Sequence, residues 1–227
     1  FFIILCSLVI KIALFLYLNM GYDIMTWKGK NKMIKNIVFD LGNVLVEFKP
    51  IDYLLRIGFK PKEAEILSKI VFLNPMWNEF DRGTITIEQY SEKLKKENPQ
   101  YIKEIEKIFD SDWLVNMFIE DKEMSKFLEE MSHKYNIYVL SNISEYVLNY
   151  VKNFGFWNYV TGGTFSYQVK ACKPEKEIYE AFLNQNNVIP QECLFIDDKA
   201  ENIEMAKEIG INGIVFKNNL QEINKKL

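Results

Sequence analysis

The 227-residue sequence predicts an α/β protein with a doubly wound, Rossmann-like parallel sheet core and an inserted helical cap after the first strand. Three observations carry that prediction. Short apolar runs without helical period alternate with amphipathic helical segments, as expected of strands covered by helices on both faces. Some sixty residues of helical sequence follow the first strand before the next one begins, more than a simple crossover needs. A composition of 48% hydrophobic and 26% charged residues over this length supports one core plus a small insertion.

Fold reasoning begins near Met33. Ile34 to Phe39 is an apolar run fit for a buried parallel strand, and Gly42-Asn43 breaks it. Pro61-Lys62-Glu63 then opens a helix through Leu73, Thr86-Ile87-Glu88 another through Glu97, and Pro99 a third through Phe109. Alternation resumes with a helix over Asp121 to Lys134, a strand over Ile137 to Leu140, a helix over Ser144 to Phe154 ended by Gly155, and a weak strand within Thr161 to Tyr167. Pro174 suits the first position of a helix running to Asn186. A strand over Cys193 to Ile196, a helix over Ala200 to Ile209 ended by Gly210, and a strand over Gly213 to Phe216 complete the pattern. The core is therefore assigned to residues 33–49 and 113–227, and the cap to 50–112.

Residues 1–32 form an apolar N-terminal extension with a separate logic. Phe1 to Met20 is almost continuously apolar and close to the ~20 residues that span a bilayer. If it inserts, Lys28, Lys30, Lys32 and Lys35 would hold the globular part on the cytoplasmic side. Lys11, near the middle, opposes insertion by roughly 2.5 to 3.5 kcal/mol, and no small-residue cleavage site marks a signal peptide. Met33-Ile34-Lys35-Asn36-Ile37 would open the domain, so the extension is expected to be upstream translation, with a membrane anchor as the other reading and a cytoplasmic catalytic part in either case.

A net charge of −3 without any basic run argues against nucleic acid as a partner. Cys6, Cys172 and Cys193 lack metal-ligand spacing and read as free thiols, while the lone His133 reads as an exposed helix-end residue. The chemistry lies in four segments that follow apolar runs: Phe39-Asp40-Leu41-Gly42-Asn43, Leu140-Ser141-Asn142, Lys173-Pro174-Glu175 and Phe195-Ile196-Asp197-Asp198. Ligands bind beyond the carboxyl ends of strands in open parallel sheets, so these segments are expected to converge. Asp40 beside a flexible Gly42 suits a carboxylate nucleophile, or a turn residue. Asp197 and Asp198 would repel each other without a cation, and with Asp40 they suit Mg²⁺; alternatively, Asp198 caps the following helix. Ser141 and Asn142 precede a helix, where a hydroxyl and backbone N–H groups can hold phosphate oxygens, and Lys173 can neutralise a transferring phosphoryl group.

In order and spacing, these segments resemble the four motifs of the haloacid dehalogenase-like hydrolase superfamily, from about residue 34 to residue 217. The first motif, the Glu79-Phe80-Asp81-Arg82-Gly83 stretch and Asp197-Asp198-Lys199-Ala200-Glu201-Asn202 are similar to its glucose-1-phosphate phosphatase branch and to the phosphatase domain of epoxide hydrolases. The resemblance implies that Asp40 forms an aspartyl-phosphate, Ser141 binds phosphoryl oxygens and Lys173 holds the charge between them. It further implies Mg²⁺ held by Asp40, the Gly42 carbonyl and the Asp197-Asp198 pair, with Asp198 in direct contact. Substrate contacts are expected from Asn142 and from Asn78, Glu79, Asp81 and Arg82, which are polar residues near Trp77 and Phe80.

One departure is chemical. Many phosphatases of the superfamily carry a second Asp two residues after the nucleophile as general acid, and here that position is Gly42. Three explanations stand: a leaving group that needs little protonation, a proton supplied by a cap residue or by water, or a protein with little activity; the first agrees with an anomeric sugar phosphate such as glucose 1-phosphate. The expected function is a Mg²⁺-dependent phosphatase of small phosphorylated metabolites. A 2-haloacid dehalogenase, which needs no cation, and a catalytically weak binding module of the same fold are the alternatives.

Overall fold

In the computed structural model, which describes residues 33–110 and 113–227, strand β1 (Asn36–Phe39) is followed by β2 (Val46–Phe48) and a run of helices. These are α1 (Pro50–Arg56), α2 (Pro61–Val71), α3 (Trp77–Asp81), α4 (Ile87–Glu97) and α5 (Ile102–Ile108). Helix α6 (Trp113–Met117) leads into β3 (Phe118–Glu120), α7 (Lys122–Ser132), β4 (Asn136–Ser141), α8 (Glu145–Val151), β5 (Gly162–Phe165) and α9 (Ser166–Val169). Helix α10 (Lys176–Asn186), β6 (Cys193–Asp197), α11 (Ala200–Glu208), β7 (Asn212–Val215) and α12 (Leu220–Asn224) end the chain.

The core sheet is parallel and five-stranded, in the order β5-β4-β1-β6-β7. Alternate residues of its strands face two separate apolar layers. Ile37, Phe39, Ile137, Val139, Leu194 and Ile196 join α7, α8 and the inserted helices on one side. Val38, Tyr138, Leu140, Cys193 and Phe195 meet Ile178, Tyr179 and Phe182 of α10 and Ile203 and Ala206 of α11 on the other. Burial on both faces explains why these strands read as unbroken apolar runs. With β1 central, Phe39 pairs with Val139 on one side and Ile196 on the other, so the residues that follow all three strands emerge at one end of the sheet.

Several helix starts lie where their chemistry predicts. Ser144, Thr86 and Asp121 each accept hydrogen bonds from backbone N–H groups of the helices they precede. His133 is the exposed C-cap residue of α7, and Cys172 and Cys193 are free and buried. Pro174 is different: it does not open α10, which begins at Lys176. The Glu175 N–H donates to the Cys172 carbonyl at 2.7 Å, so Pro174 lies in a turn, after a cis peptide bond with Lys173. The antiparallel pair β2–β3, which joins the two ends of the inserted segment, is an addition to the expected elements, as are α1, α3 and α6.

No helix among the described residues is long and apolar enough to cross a membrane. The expectations for residues 1–32 and for Cys6 fall outside the described residues.

Candidate functional site

Asp40 follows β1, and its backbone N–H continues the sheet by donating to Ile196 O at 2.9 Å. Its Oδ1 accepts from the Leu41 N–H at 2.7 Å and lies 2.7 Å from Lys173 Nζ. The same ammonium lies 2.7 Å from Asp197 Oδ2. Lys173 is thus clamped between two carboxylates that end adjacent strands, with its side chain 1% exposed. Burial alone would depress its pKa, but Asp40 and Asp197 outweigh that and raise it. Burial dominates at Asp40 and, despite Lys173, pushes its carboxyl up to about 6.

Asp197 is fully buried and fully engaged. Its Oδ1 accepts from the Lys199 N–H at 2.8 Å, and Asn202 Nδ2 lies 2.9 Å from both oxygens. Asp198 points elsewhere and is more exposed, with its Oδ2 accepting from Asn43 Nδ2 at 3.3 Å. It does not cap α11, whose N-cap residue is Lys199. Asn43 itself adopts φ 55°, a left-handed turn that lets its Oδ1 accept from the Phe48 N–H while its amide reaches Asp198. Asp40, Asp197 and Asp198 each bring a carboxylate oxygen within 4.8 Å of the others. Beside them the buried Oδ1 of Asn202 has no hydrogen-bond partner among the described residues. A concentrated set of hard oxygens with one orphaned acceptor fits a divalent cation and its water shell.

Ser141, the last residue of β4, is 2% exposed and reaches the same place. Asn142 beside it holds the Lys173 backbone from both sides: its Nδ2 donates to Lys173 O at 2.9 Å, and its Oδ1 accepts from Lys173 N at 2.6 Å. Asn142 is therefore a brace for Lys173, with its amide already occupied. A cavity of about 570 Å³ opens above these residues, lined at its floor by Asp40, Gly42, Ser141, Asn142, Lys173 and Asp198, and higher up by Asn78 and Asp81. Burial raises the Asp81 carboxyl well above the usual range, against the pull of Lys199.

Two of the expected substrate contacts lie away from the cavity lining. Glu79 and Arg82 are not among the cavity's lining residues. Arg82 forms a two-pronged ion pair with Glu175 at 2.8 and 2.5 Å and also donates to Lys170 O, while Glu79 pairs with Lys93. The partner of Arg82 lies far away in sequence and that of Glu79 on another helix, so both side chains are drawn into ion pairs outside the cavity lining. Arg82 instead ties the inserted helices to the core, together with Ser166 Oγ, which donates to Asp81 O at 2.6 Å, and Lys170 Nζ, which donates to Gly83 O at 2.8 Å. Asn43 and the orphaned Asn202 acceptor belong to the site, although the sequence placed them in the motif segments without assigning them a role.

A sequence profile described as haloacid dehalogenase-like hydrolase matches residues 34–210. The chain is 26% identical over 193 residues to a D-ribitol-5-phosphate phosphatase of Bacteroides thetaiotaomicron, covering 78% of this chain and 89% of that protein. It is 26% identical over 182 residues to a sesquiterpene phosphatase of Aspergillus oryzae, covering 79% and 88% respectively. Among solved structures, a HAD-family enzyme of Bacteroides thetaiotaomicron in a magnesium complex superposes with a TM-score of 0.64 at 25% identity, covering 82% of this chain and 94% of that one.

Proposed function

The chain belongs to the haloacid dehalogenase-like hydrolase family, and from that premise we propose that it is a Mg²⁺-dependent phosphatase acting on small phosphate monoesters through an aspartyl-phosphate on Asp40. The supporting observation is the Lys173 clamp: one buried ammonium 2.7 Å from each of two strand-end carboxylates, beneath a cavity of substrate size. Relatives named as phosphatases and a neighbour that holds magnesium support the same reading.

In this reading Asp40 and Asp198, with the Gly42 carbonyl, hold the cation, while Asp197, whose oxygens are already taken, sets the position of Lys173 and Asn202. Bound Mg²⁺ supplies charge stabilisation for phosphoryl oxygens. The Asp40 oxygen not bonded to Leu41 and Lys173 attacks phosphorus. Lys173 and the Ser141 hydroxyl hold the equatorial oxygens as the ester oxygen departs, and water then hydrolyses the acyl phosphate to return free Asp40 and inorganic phosphate. Residues 50–112 act as the cap over this floor. The carboxylate of Asp198, facing the cavity with no direct ion pair among the described residues, supports phosphatase over dehalogenase chemistry, which has no use for a cation.

The finer expectation of a sugar phosphate such as glucose 1-phosphate rests on the leaving group required by Gly42. That requirement concerns acidity alone, and an aryl phosphate meets it as well. The named relatives pull in opposite directions, one towards a polyol phosphate and the other towards a terpenoid. Release of inorganic phosphate from p-nitrophenyl phosphate, with Mg²⁺ and with excess chelator, tests the proposal. Activity that survives chelation or survives Asp40→Asn overturns it.

A further inference from the structure

From the walls of the catalytic cavity we infer that the alcohol part of the substrate is an apolar body, aromatic or aliphatic, and not a sugar or polyol; this rests on the phosphatase reading above. The upper wall is a continuous cluster of aromatic rings. Phe48 lies 6.0 Å from Trp77, 6.3 Å from Phe72 and 5.5 Å from Phe118, centroid to centroid, and Phe72 lies 5.4 Å from Trp77. All four line the cavity, with Val147 among the aliphatic residues that complete the lining. Such a surface gains from covering an apolar body and offers few partners for hydroxyl groups.

The polar residues of the lining do not change that balance, because most are already committed within the protein. Asn74 donates to Ile70 O at 3.2 Å and accepts from Met76 N at 2.9 Å, so both ends of its amide cap the α2–α3 connection. Asn43 is occupied by Asp198 and Phe48, and Asn142 by the Lys173 backbone. Ser141, Lys173 and Asp198 surround the place of the phosphoryl group. Lys199 and Asn202 also line the cavity, beside the carboxylate cluster, which leaves Asn78 and the buried Asp81 near the upper wall, too few to replace the water shell of a polyhydroxylated substrate. Each hydroxyl left without a partner against the rings weakens binding.

The test compares kcat/KM of the full-length protein with Mg²⁺ on two pairs of esters, chosen so that leaving-group chemistry is close within each pair. The pairs are 1-naphthyl against phenyl phosphate, and n-octyl phosphate against D-ribitol 5-phosphate. The apolar or larger member of each pair is expected to be favoured by roughly tenfold or more, mainly through KM. In Phe48→Ser the naphthyl-to-phenyl ratio should fall towards one, a change in ratio that loss of folded protein cannot produce. Turnover of D-ribitol 5-phosphate equal to or better than that of n-octyl phosphate overturns the inference and leaves the phosphatase reading standing. Failure to cleave any of the esters with Mg²⁺ present removes the phosphatase reading, and the inference falls with it.

Discussion

Lys173 Nζ and Asp40 Oδ1 stand 2.7 Å apart, with the lysine side chain 1% and the aspartate side chain 11% exposed. Lys173→Met keeps most of the volume but leaves Asp40 and Asp197 facing each other without a cation. Breaking a buried pair in this way costs about 3–5 kcal/mol. Urea unfolding of the metal-free variant should show a loss of that order, and phosphate release should disappear. Asp40→Asn should also abolish turnover while shifting the urea midpoint far less, because the amide nearly preserves shape and leaves Asp197 to pair with Lys173.

The raised Asp40 pKa makes metal-free stability depend on pH. Its carboxyl titrates near 6 in the folded chain against 3.8 when unexposed to these neighbours, so between those values the folded state holds a proton that the unfolded state has lost. Stability therefore falls as pH rises through that window, by up to about 3 kcal/mol, and levels off above it. Mg²⁺ competes with this proton. The rise in Tm on adding Mg²⁺ should be clearly larger at pH 7.5 than at pH 5; an equal rise at both would show that Asp40 is ionised throughout.

A side chain at position 42 has room. A Cβ built on Gly42 meets nothing within 4 Å, and its φ does not require glycine. Gly42→Asp should therefore fold normally and place a carboxyl two residues after the nucleophile. General acid assistance is worth about 10²–10⁴ where the leaving group is poor. The wild type is expected to show a steep dependence of kcat/KM on leaving-group pKa, and Gly42→Asp a shallower one, with alkyl phosphates gaining most. A flat wild-type dependence, with chemistry rate-limiting, would point to an acid elsewhere, and Glu47, Asp52 and Asp81 would be examined first.

Asp81 is 9% exposed, and burial holds its carboxyl well above 3.8. It contributes most to stability below the unfolded value and less as pH rises towards its folded one. Asp81→Asn, which imitates the neutral form, should leave the unfolding free energy at pH 4 nearly unchanged and raise it at pH 7, where the ionised carboxylate of the wild type is penalised by burial. A variant that is less stable than wild type at pH 7 would mean that the ionised carboxylate is the native form.

The parallel core was readable because its central strands are buried on both faces, so Ile37-Val38-Phe39 and Leu194-Phe195-Ile196 stand out as apolar runs with a carboxylate behind them. Caps were readable for the same local reason: Thr86, Asp121 and Ser144 sit one residue ahead of their helices. What escaped the sequence depends on distant partners. Arg82 has charge and position for a ligand contact, but Glu175, 93 residues away, takes its guanidinium. The strands Val46–Phe48 and Phe118–Glu120 are too short to show a period, and with them the Phe48–Phe118 pair at the cavity wall stayed hidden. Trp77 is a buried core aromatic, yet it also lines the cavity.

The central place of β1 sets how the protein loses activity. Its residues are paired with Asn136–Val139 on one flank and Cys193–Ile196 on the other, and neither flank is a sheet edge. Backbone amides leading to Asp40 can therefore exchange with solvent only when the whole sheet opens, whereas the solvent-facing turns of the inserted helices exchange through smaller excursions. Denaturant low enough to loosen those helices should broaden substrate selection first, with the aspartyl centre surviving until the global transition.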